Sequence, residues 1–441
     1  MNIIHKVWCI IINNLTLGQI IKNERVKRRL TQEQVAGDFI TRNMLSKIEN
    51  NLANPSIKTI EYLSKKLDIS ITYLLESFIA VGDSKFRDTN DLELVYEHTS
   101  FLIKNKEYNK CIKYIEDLVE FIDSNKSDAY YGKIKYNLAI SYMKIDKFDE
   151  SKQLFINAVD ILNHNKDFYF LAKTFFNLSY IHFSQIDYLE SEKSIRNALN
   201  YFQKSFIDDI FLEIRIYYRL GYILSKLNKY DEAINPLEYS LDISKEHDCF
   251  YNQGQTHMVL GVVYKNLGNM EKAIYHTKKA KLYFEFADSS ELAALSYKNL
   301  GNIYLKLNNH KAAKENLLIA QSYFENINKR DMVNIIKGDI VESLVIAEEY
   351  NEALKILNTI DCINLTSSDL SSLYINISIA HLNTRNYSEA YKYLIEAERI
   401  LLDSNNHKLL YKLYNVFARL YNMQEDFKSA YEYSNKSRLY I

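Results

Sequence analysis

Arg42, Asn43, Ser46 and Lys47 fall at spacings that place them together on one side of a short helix, opposite Leu45 and Ile48. That set suits the reading of nucleic-acid base edges. Arginine and lysine pair with guanine O6 and N7, asparagine with adenine N6 and N7, and each good pair discriminates by roughly 1–3 kcal/mol. A second set recurs along the body of the chain. Asn137, Asn177, Arg219, Asn299 and Asn376 occupy equivalent places, and Lys133, Lys173 and Arg215 stand four residues ahead of three of them. Stacked amides can donate to and accept from an extended peptide backbone, and cations beside them suit an acidic side chain or a free carboxylate. The alternative is that each asparagine satisfies only a neighbouring helix of its own chain.

The first set needs a compact frame. Leu17, Ile20, Ile21, Glu24 and Val26 predict an amphipathic helix ending at Leu30, with Arg25, Lys27, Arg28 and Arg29 outside. Thr31-Gln32-Glu33-Gln34 is a capping-box-like start for a second helix, which turns Val35 and Ala36 inward. Thr41 caps a third, Arg42–Asn50. Asn54-Pro55-Ser56 breaks the chain ahead of a fourth helix carrying Ile57, Ile60, Leu63 and Leu67, and Ile69 and Leu74 belong to a fifth. Two short helices joined by a tight turn, the second presenting Arg, Asn and Lys outward, form the arrangement that fills a major groove.

The stretch Leu30–Leu75, which joins TQEQVA, SKIEN and NPS, resembles the XRE-type helix-turn-helix domain of phage-type repressors. The resemblance implies a phosphate contact for Gln32, base contacts for Arg42, Asn43 and Lys47, and a backbone contact for Asn50. Thr41 and Ser46 complete the candidate DNA-binding set. One departure stands out: between Ala36 and Thr41 the chain is a residue shorter than the usual pattern, with its turn glycine early, at Gly37.

The second set needs a repeat. Thr99, Ala139, Ser179, Gly221, Gly261, Gly301, Val341, Ser378 and Ala418 follow one another at steps of 40, 40, 42, 40, 40, 40, 37 and 40 residues. Twelve positions after each comes Cys111, Ser151, Ser191, Ala233, Ala273, Ala313, Ala353, Ala390 or Ala430; seven further on comes Leu118, Ala158, Ala198, Ser240, Ala280, Ala320, Ile360, Ala397 or Ser437. A unit that cannot bury its own apolar face must stack on its neighbours, which predicts a solenoid. The pattern resembles tetratricopeptide repeats: small residues where helices A and B approach, aromatics filling the gaps, and a short polar turn. The usual step is ~34 residues. The extra length therefore falls after the third small residue, lengthening the end of helix B and the start of the next helix A. The units around Thr99 and Val341 are the least regular. The expected fold is all-α: residues 1–14 an extension, 15–76 a five-helix DNA-binding head, 77–91 a linker with a hinge, and 92–441 a right-handed superhelix of about nine helix pairs.

Composition agrees with this reading. Ten Gly and two Pro in 441 residues argue against a turn-rich β fold. The net charge of −1 divides unevenly, +5 over residues 1–75 and −6 over the rest, as expected if the head alone meets a polyanion. Cys9, Cys111, Cys249 and Cys362 show no metal-ligand spacing and read as thiols of a reducing cytoplasm. Ile3–Ile12 is far short of the ~20 apolar residues of a membrane span. No phosphate loop, Cys-x-x-Cys, His-x-x-x-His or Gly-x-Ser-x-Gly is present, so neither an enzyme nor a cofactor is expected.

An XRE head on long-step tetratricopeptide units resembles the RNPP regulators of Gram-positive bacteria. The resemblance implies a cytoplasmic homodimer on double-stranded DNA, bound to a palindromic operator, whose repeat groove takes a short re-imported signalling peptide that alters DNA activity. A repeat array that docks a protein partner while the head tethers it to DNA is the alternative.

Overall fold

The computed structural model describes residues 16–53, 55, 57–69, 74, 91–402 and 406–440. Among the described residues there are twenty-three helices and no strand. The chain divides into two packed units, residues 1–207 and 208–441.

The head opens the first unit with α1 (Leu17–Lys27), α2 (Gln32–Ala36), α3 (Arg42–Glu49) and α4 (Ile57–Leu67). Each of the first three starts where a threonine hydroxyl accepts an otherwise orphaned N–H. Thr16 and Thr31 form complete capping boxes with Gln19 and Gln34, and Thr41 Oγ1 accepts from the Met44 N–H at 3.1 Å. The core beneath them is Leu17, Ile20, Ile21, Val35, Ala36, Leu45, Ile48, Ile60, Leu63 and Leu67, closed by Leu74. Most of the expected fifth helix lies outside the described residues, as do the extension 1–14 and all of the linker except Asp91; Leu74 itself is helical and fully buried.

Two details depart from the periodicity. Helix α1 stops three residues before Leu30: Arg29 turns left-handed at φ 55°, and the Leu30 N–H closes onto the Arg25 carbonyl at 3.1 Å. Val26 is exposed rather than inward, and Arg25 takes the inward place. The shortened turn after α2 is a property of its glycine. Gly37 adopts φ +52°, and a Cβ there would come within 2.4 Å of Tyr62 Oη. Phe39, in the same turn, stacks on Tyr62 at 4.7 Å.

All nine helix pairs fall where the repeat places them. The first unit carries α5 (Asp91–Lys104) with α6 (Tyr108–Asp117) and α7 (Val119–Ser124), then α8 (Tyr131–Lys144) with α9 (Phe148–His164), and α10 (Phe168–Ser184) with α11 (Tyr188–Ser205). The second carries α12 (Ile210–Lys226) with α13 (Tyr230–Glu246), α14 (Gln253–Asn266) with α15 (Met270–Phe286), and α16 (Ser290–Lys306) with α17 (His310–Asn326). It ends with α18 (Arg330–Ile346) and α19 (Tyr350–Leu357), α20 (Ser367–Asn383) and α21 (Tyr387–Leu401), and α22 (His407–Met423) and α23 (Phe427–Arg438).

The twelve-residue spacing marks the crossing of helices A and B. Ser151 Oγ donates to the Ala139 carbonyl and Ser191 Oγ to the Ser179 carbonyl, both at 2.8 Å. At Gly221 an added Cβ would lie 3.1 Å from the Ala233 carbonyl oxygen and 2.4 Å from Leu237 Cγ. The third small residues, among them Ala158, Ala198, Ala280, Ala320 and Ala397, are fully buried. Two units carry a large residue there, and in both helix B is cut short. Leu118 separates α6 from α7, and Ile360 lies beyond α19, which has only 8 residues. The extra length is helical, as expected: α17 runs past Ala320 to Asn326, and α18 opens at Arg330. One polar turn serves two needs at once: Asn308 takes positive φ and Asn309 caps the next helix through its side chain. Elsewhere the two are separate, with positive φ at Asn228 and Asn328 and side-chain caps at Asn269 and Asn406.

Helices α14 and α15 bury a histidine pair. His257 and His276 approach Nδ1 to Nδ1 at 2.8 Å, so one ring donates to the other. Burial, then the facing His276 and the charges of Lys245 and Lys279, push His257 down to about 3. Burial, then Lys272 and Lys245, push His276 down to about 4. Both are neutral when folded and titrate near ~6.5 when unfolded. Their contribution is complete above that pH and is lost as pH falls toward the folded values. The thermal midpoint is therefore expected to drop between pH 7 and pH 5, and His276→Gln is expected to shrink that drop. An unchanged drop in the variant would assign it to other groups.

Candidate nucleic-acid interface and repeat face

The reading helix is held from beneath by a buried ion pair. Arg25 Nε donates to Glu49 Oε1 at 2.5 Å and Nη2 to Oε2 at 2.9 Å, while Nη1 reaches the Leu30 carbonyl at 2.9 Å. Gln32 Nε2 donates to Glu49 Oε2 at 2.8 Å. These bonds tie α1, the start of α2 and the end of α3 together. Burial pushes the Glu49 carboxyl up, but the hydrogen bonds from Arg25 and Gln32 and the Arg25 charge outweigh it and hold it below the ordinary range.

On the opposite side of α3, Arg42, Asn43 and Lys47 are exposed and Ser46 is half-buried. None of these four makes an ion pair among the described residues. Thr41 and Asn50 flank them, both exposed, with the Asn50 side chain donating to the Ser46 carbonyl at 2.9 Å. The structure thus gathers six of the seven candidate DNA residues on one short helix and its two ends. Gln32, half-buried, is drawn to the Glu49 carboxylate. Sequence reasoning missed Arg25 and Glu49. The available signal was Glu49 itself: it shares the inward side of α3 with Leu45 and Ile48, and an acid there needs a partner.

In the repeats, the asparagines two positions before the small residue connect successive A helices. Asn137 Nδ2 donates to Thr99 Oγ1 and Ser100 Oγ, each at 2.9 Å. Asn177 Nδ2 donates to Tyr136 Oη at 3.1 Å and to the Lys173 carbonyl at 2.9 Å. Asn376 Oδ1 accepts from Lys412 Nζ at 2.8 Å. All three are buried, whereas Asn299 is half-buried and makes no side-chain hydrogen bond among the described residues.

Lys133 and Lys173, on neighbouring helices α8 and α10, bracket one aromatic ring. Their ammonium groups stand 5.1 and 4.6 Å from the centre of Phe170. Tyr130 lies 5.0 Å from Lys133, and Tyr136 and Tyr169 lie 5.3 and 5.2 Å from Lys173. Lys133 also pairs with Asp167 at 3.3 Å. Arg215 and Arg219 lie one turn apart on α12, both half-buried. No helix of the described residues is long and apolar enough to cross a membrane, and they hold no group of three side chains placed to bind a metal.

Comparison with known proteins finds a helix-turn-helix segment and tetratricopeptide segments in the chain. Residues 21–74 match the helix-turn-helix family, and residues 214–247 and 294–325 match the tetratricopeptide repeat. No curated protein matches in sequence. Among solved structures, the apo form of the quorum sensor NprR from B. thuringiensis aligns with a TM-score of 0.59 at 15% identity, over 80% of this chain and 99% of that one. Aspartyl phosphate phosphatase F from Bacillus subtilis aligns at 0.51 and 14% identity, over 80% and 94% of the two chains. A Rap protein complexed with Competence and Sporulation Factor aligns at 0.50 and 12%, over 80% and 98%. At these identities the likeness is one of fold. The chain joins an XRE-type helix-turn-helix segment to a tetratricopeptide array, and in that architecture it resembles the RNPP group.

Proposed function

We propose that this chain is a DNA-binding transcription regulator whose repeat array takes a short signalling peptide, and that it acts as a cytoplasmic homodimer on a palindromic operator. The observation that carries the DNA half is the exposed row Arg42, Asn43 and Lys47 on a helix locked from below by Arg25 and Glu49. Residues 15–76 form the reading head and 92–441 the sensing array, joined by the linker 77–91. The peptide half rests on the likeness in fold to the quorum sensor NprR and on the cationic, aromatic surface of Lys133, Phe170 and Lys173. A second reading, a repeat scaffold that docks a protein partner without a peptide signal, draws support from Asn137, Asn177 and Asn376. Their amides are already engaged within the chain, which removes them from a free peptide-binding ladder.

The test of the DNA half uses the full chain and a duplex selected from a random pool. The logarithm of the binding constant is expected to fall linearly with the logarithm of salt. Lys47→Ala is expected to reduce preference for the selected duplex over a scrambled one by about 10- to 100-fold, following the ~1–3 kcal/mol of a base-specific pair. Loss of general affinity with the preference intact would move Lys47 from base reading to phosphate contact.

A further inference from the structure

One repeat of the second packed unit lacks most of its helix B. Helix α19 has only 8 residues, and Ala353 alone among them is fully buried. Helices α17 and α21 each bury four residues, the last of them Phe324 and Leu401. The equivalent position here holds Asn364, which is exposed. The chain beyond α19 is tied to α18 by polar bonds instead. The Asp361 N–H donates to Asn334 Oδ1 at 3.3 Å, Asn364 Nδ2 to Asp331 Oδ1 at 2.9 Å, and Lys337 Nζ to the Thr359 carbonyl at 3.0 Å. Apolar burial is the main resistance to separating packed helices. With little of it on the helix-B side, this repeat is a hinge.

The helix-A side is drawn together. The A helices of the last three repeats, α18, α20 and α22, pack on one another more extensively than α12, α14 and α16 do. One side chain spans all three. Lys412 Nζ, on α22, donates to Asn376 Oδ1 on α20 at 2.8 Å and to Glu342 Oε1 on α18 at 3.2 Å. The pair of Lys298 with Asp339, at 3.1 Å, joins immediate neighbours α16 and α18. Lys412 and Glu342, by contrast, are 70 residues apart, with a whole repeat between them. Each of the two side chains is about a third exposed, so salt reaches the pair. Such pairs are weak and screened, which suits a contact that opens while the repeats themselves stay folded.

We propose that Glu342, Asn376 and Lys412 form an electrostatic latch that holds α18, α20 and α22 closed on one another across the hinge at α19. The curvature of a solenoid shapes its binding surface, so the latch governs the width of that surface over the last three repeats. It does not depend on what the array binds.

The experiment measures a distance in the full chain. Ketone-bearing amino acids at the exposed positions Arg330, on α18, and Lys408, on α22, carry spin labels, and pulsed electron resonance reads their separation. Raising salt to ~1 M, where the screening length falls to about 3 Å, is expected to lengthen the mean distance. The expected shift is at least ~2 Å, the scale of a hinge rearrangement. Glu342→Gln and Lys412→Gln are each expected to give the longer distance at low salt, with helicity unchanged and no further response to salt. The swap Glu342→Lys/Lys412→Glu is expected to restore both the short distance and the salt response, since the Asn376 amide both donates and accepts. An unchanged distance in the two single variants, a salt response that survives them, or a swap that fails to close the helices again overturns the latch.

Discussion

Arg25→Met is expected to unfold the reading head and abolish DNA binding while leaving most of the chain's helicity in place. The substitution strands the Glu49 carboxylate, whose side chain has no solvent access, among Leu45, Ile48 and their neighbours. Removing one partner of a buried pair typically destabilises by ~3–5 kcal/mol, because the remaining charge loses its compensation. A segment of ~60 residues has only about 3–9 kcal/mol of total stability at ~0.05–0.15 kcal/mol per residue. The loss is therefore comparable with the whole. Calorimetry should show the early transition vanish or move far down, with the repeat transition unmoved. The pair's mechanism makes a second, sharper demand: Arg25→Met/Glu49→Met should recover much of what the single change loses, since neither charge is then buried. Failure of the double variant to improve on the single one would mean that Arg25 acts by packing alone. The pH dependence has a definite sign. A carboxyl held below its ordinary range contributes stability above the unfolded pKa, and that contribution disappears as pH falls through the lowered folded value. The head should thus weaken in acid below about pH 4, where unfolded glutamates take up protons.

That pair also shows what the sequence could and could not disclose. Capping threonines and the inward residues of α2, α3 and α4 were legible because each answers a local rule, a cap or a turn of helix. Arg25 was not. Its partner lies 24 residues away, and nothing local distinguishes it from Arg28 and Arg29. The repeat was legible for a related reason. At the crossing of helices A and B the available volume favours small residues, Gly, Ala or Ser in most units and Thr99, Cys111 or Val341 in the least regular ones, so most crossings leave a mark at one position and again twelve residues later. The two units that lack the third small residue, at Leu118 and Ile360, are the two in which helix B is cut short, so even the irregularity was written in residue size.

The asparagines were legible as positions but not as roles. Asn137 and Asn177 find partners 37 to 41 residues earlier, and Asn376 is met by Lys412, 36 residues later. One repeat length separates each pair, which is the distance to the next A helix. An amide facing a groove and an amide joining two helices have the same spacing in sequence; only the stacking of neighbouring repeats separates them.

Gly18→Ala is expected to be the most damaging single-methyl change in the head. A Cβ on Gly18 would lie 2.2 Å from the Ile48 carbonyl oxygen, 2.7 Å from Asn51 Oδ1 and 3.0 Å from the Glu49 carbonyl carbon. The first and last of these are backbone of α3, so no rotamer change relieves them. The helices must separate, and α3 carries Arg42, Asn43 and Lys47 with it. Overpacking usually costs about 1–3 kcal/mol, and with backbone as the obstacle the upper end applies, roughly 3 kcal/mol. Gly221 offers the contrast. Its nearest obstacle is a side chain, Leu237 Cγ at 2.4 Å. Gly221→Ala should therefore be rescued in part by Leu237→Ala, which clears the space at the expense of apolar burial. For Gly18→Ala, the corresponding trimming of Asn51 to Ala leaves the Ile48 carbonyl where it was and should restore neither stability nor DNA affinity. Urea unfolding of the two single and two double variants separates the cases. Rescue of Gly18→Ala by Asn51→Ala would show that α1 and α3 are held apart by a side chain, and that the reading helix is not seated on the bare backbone of its neighbour.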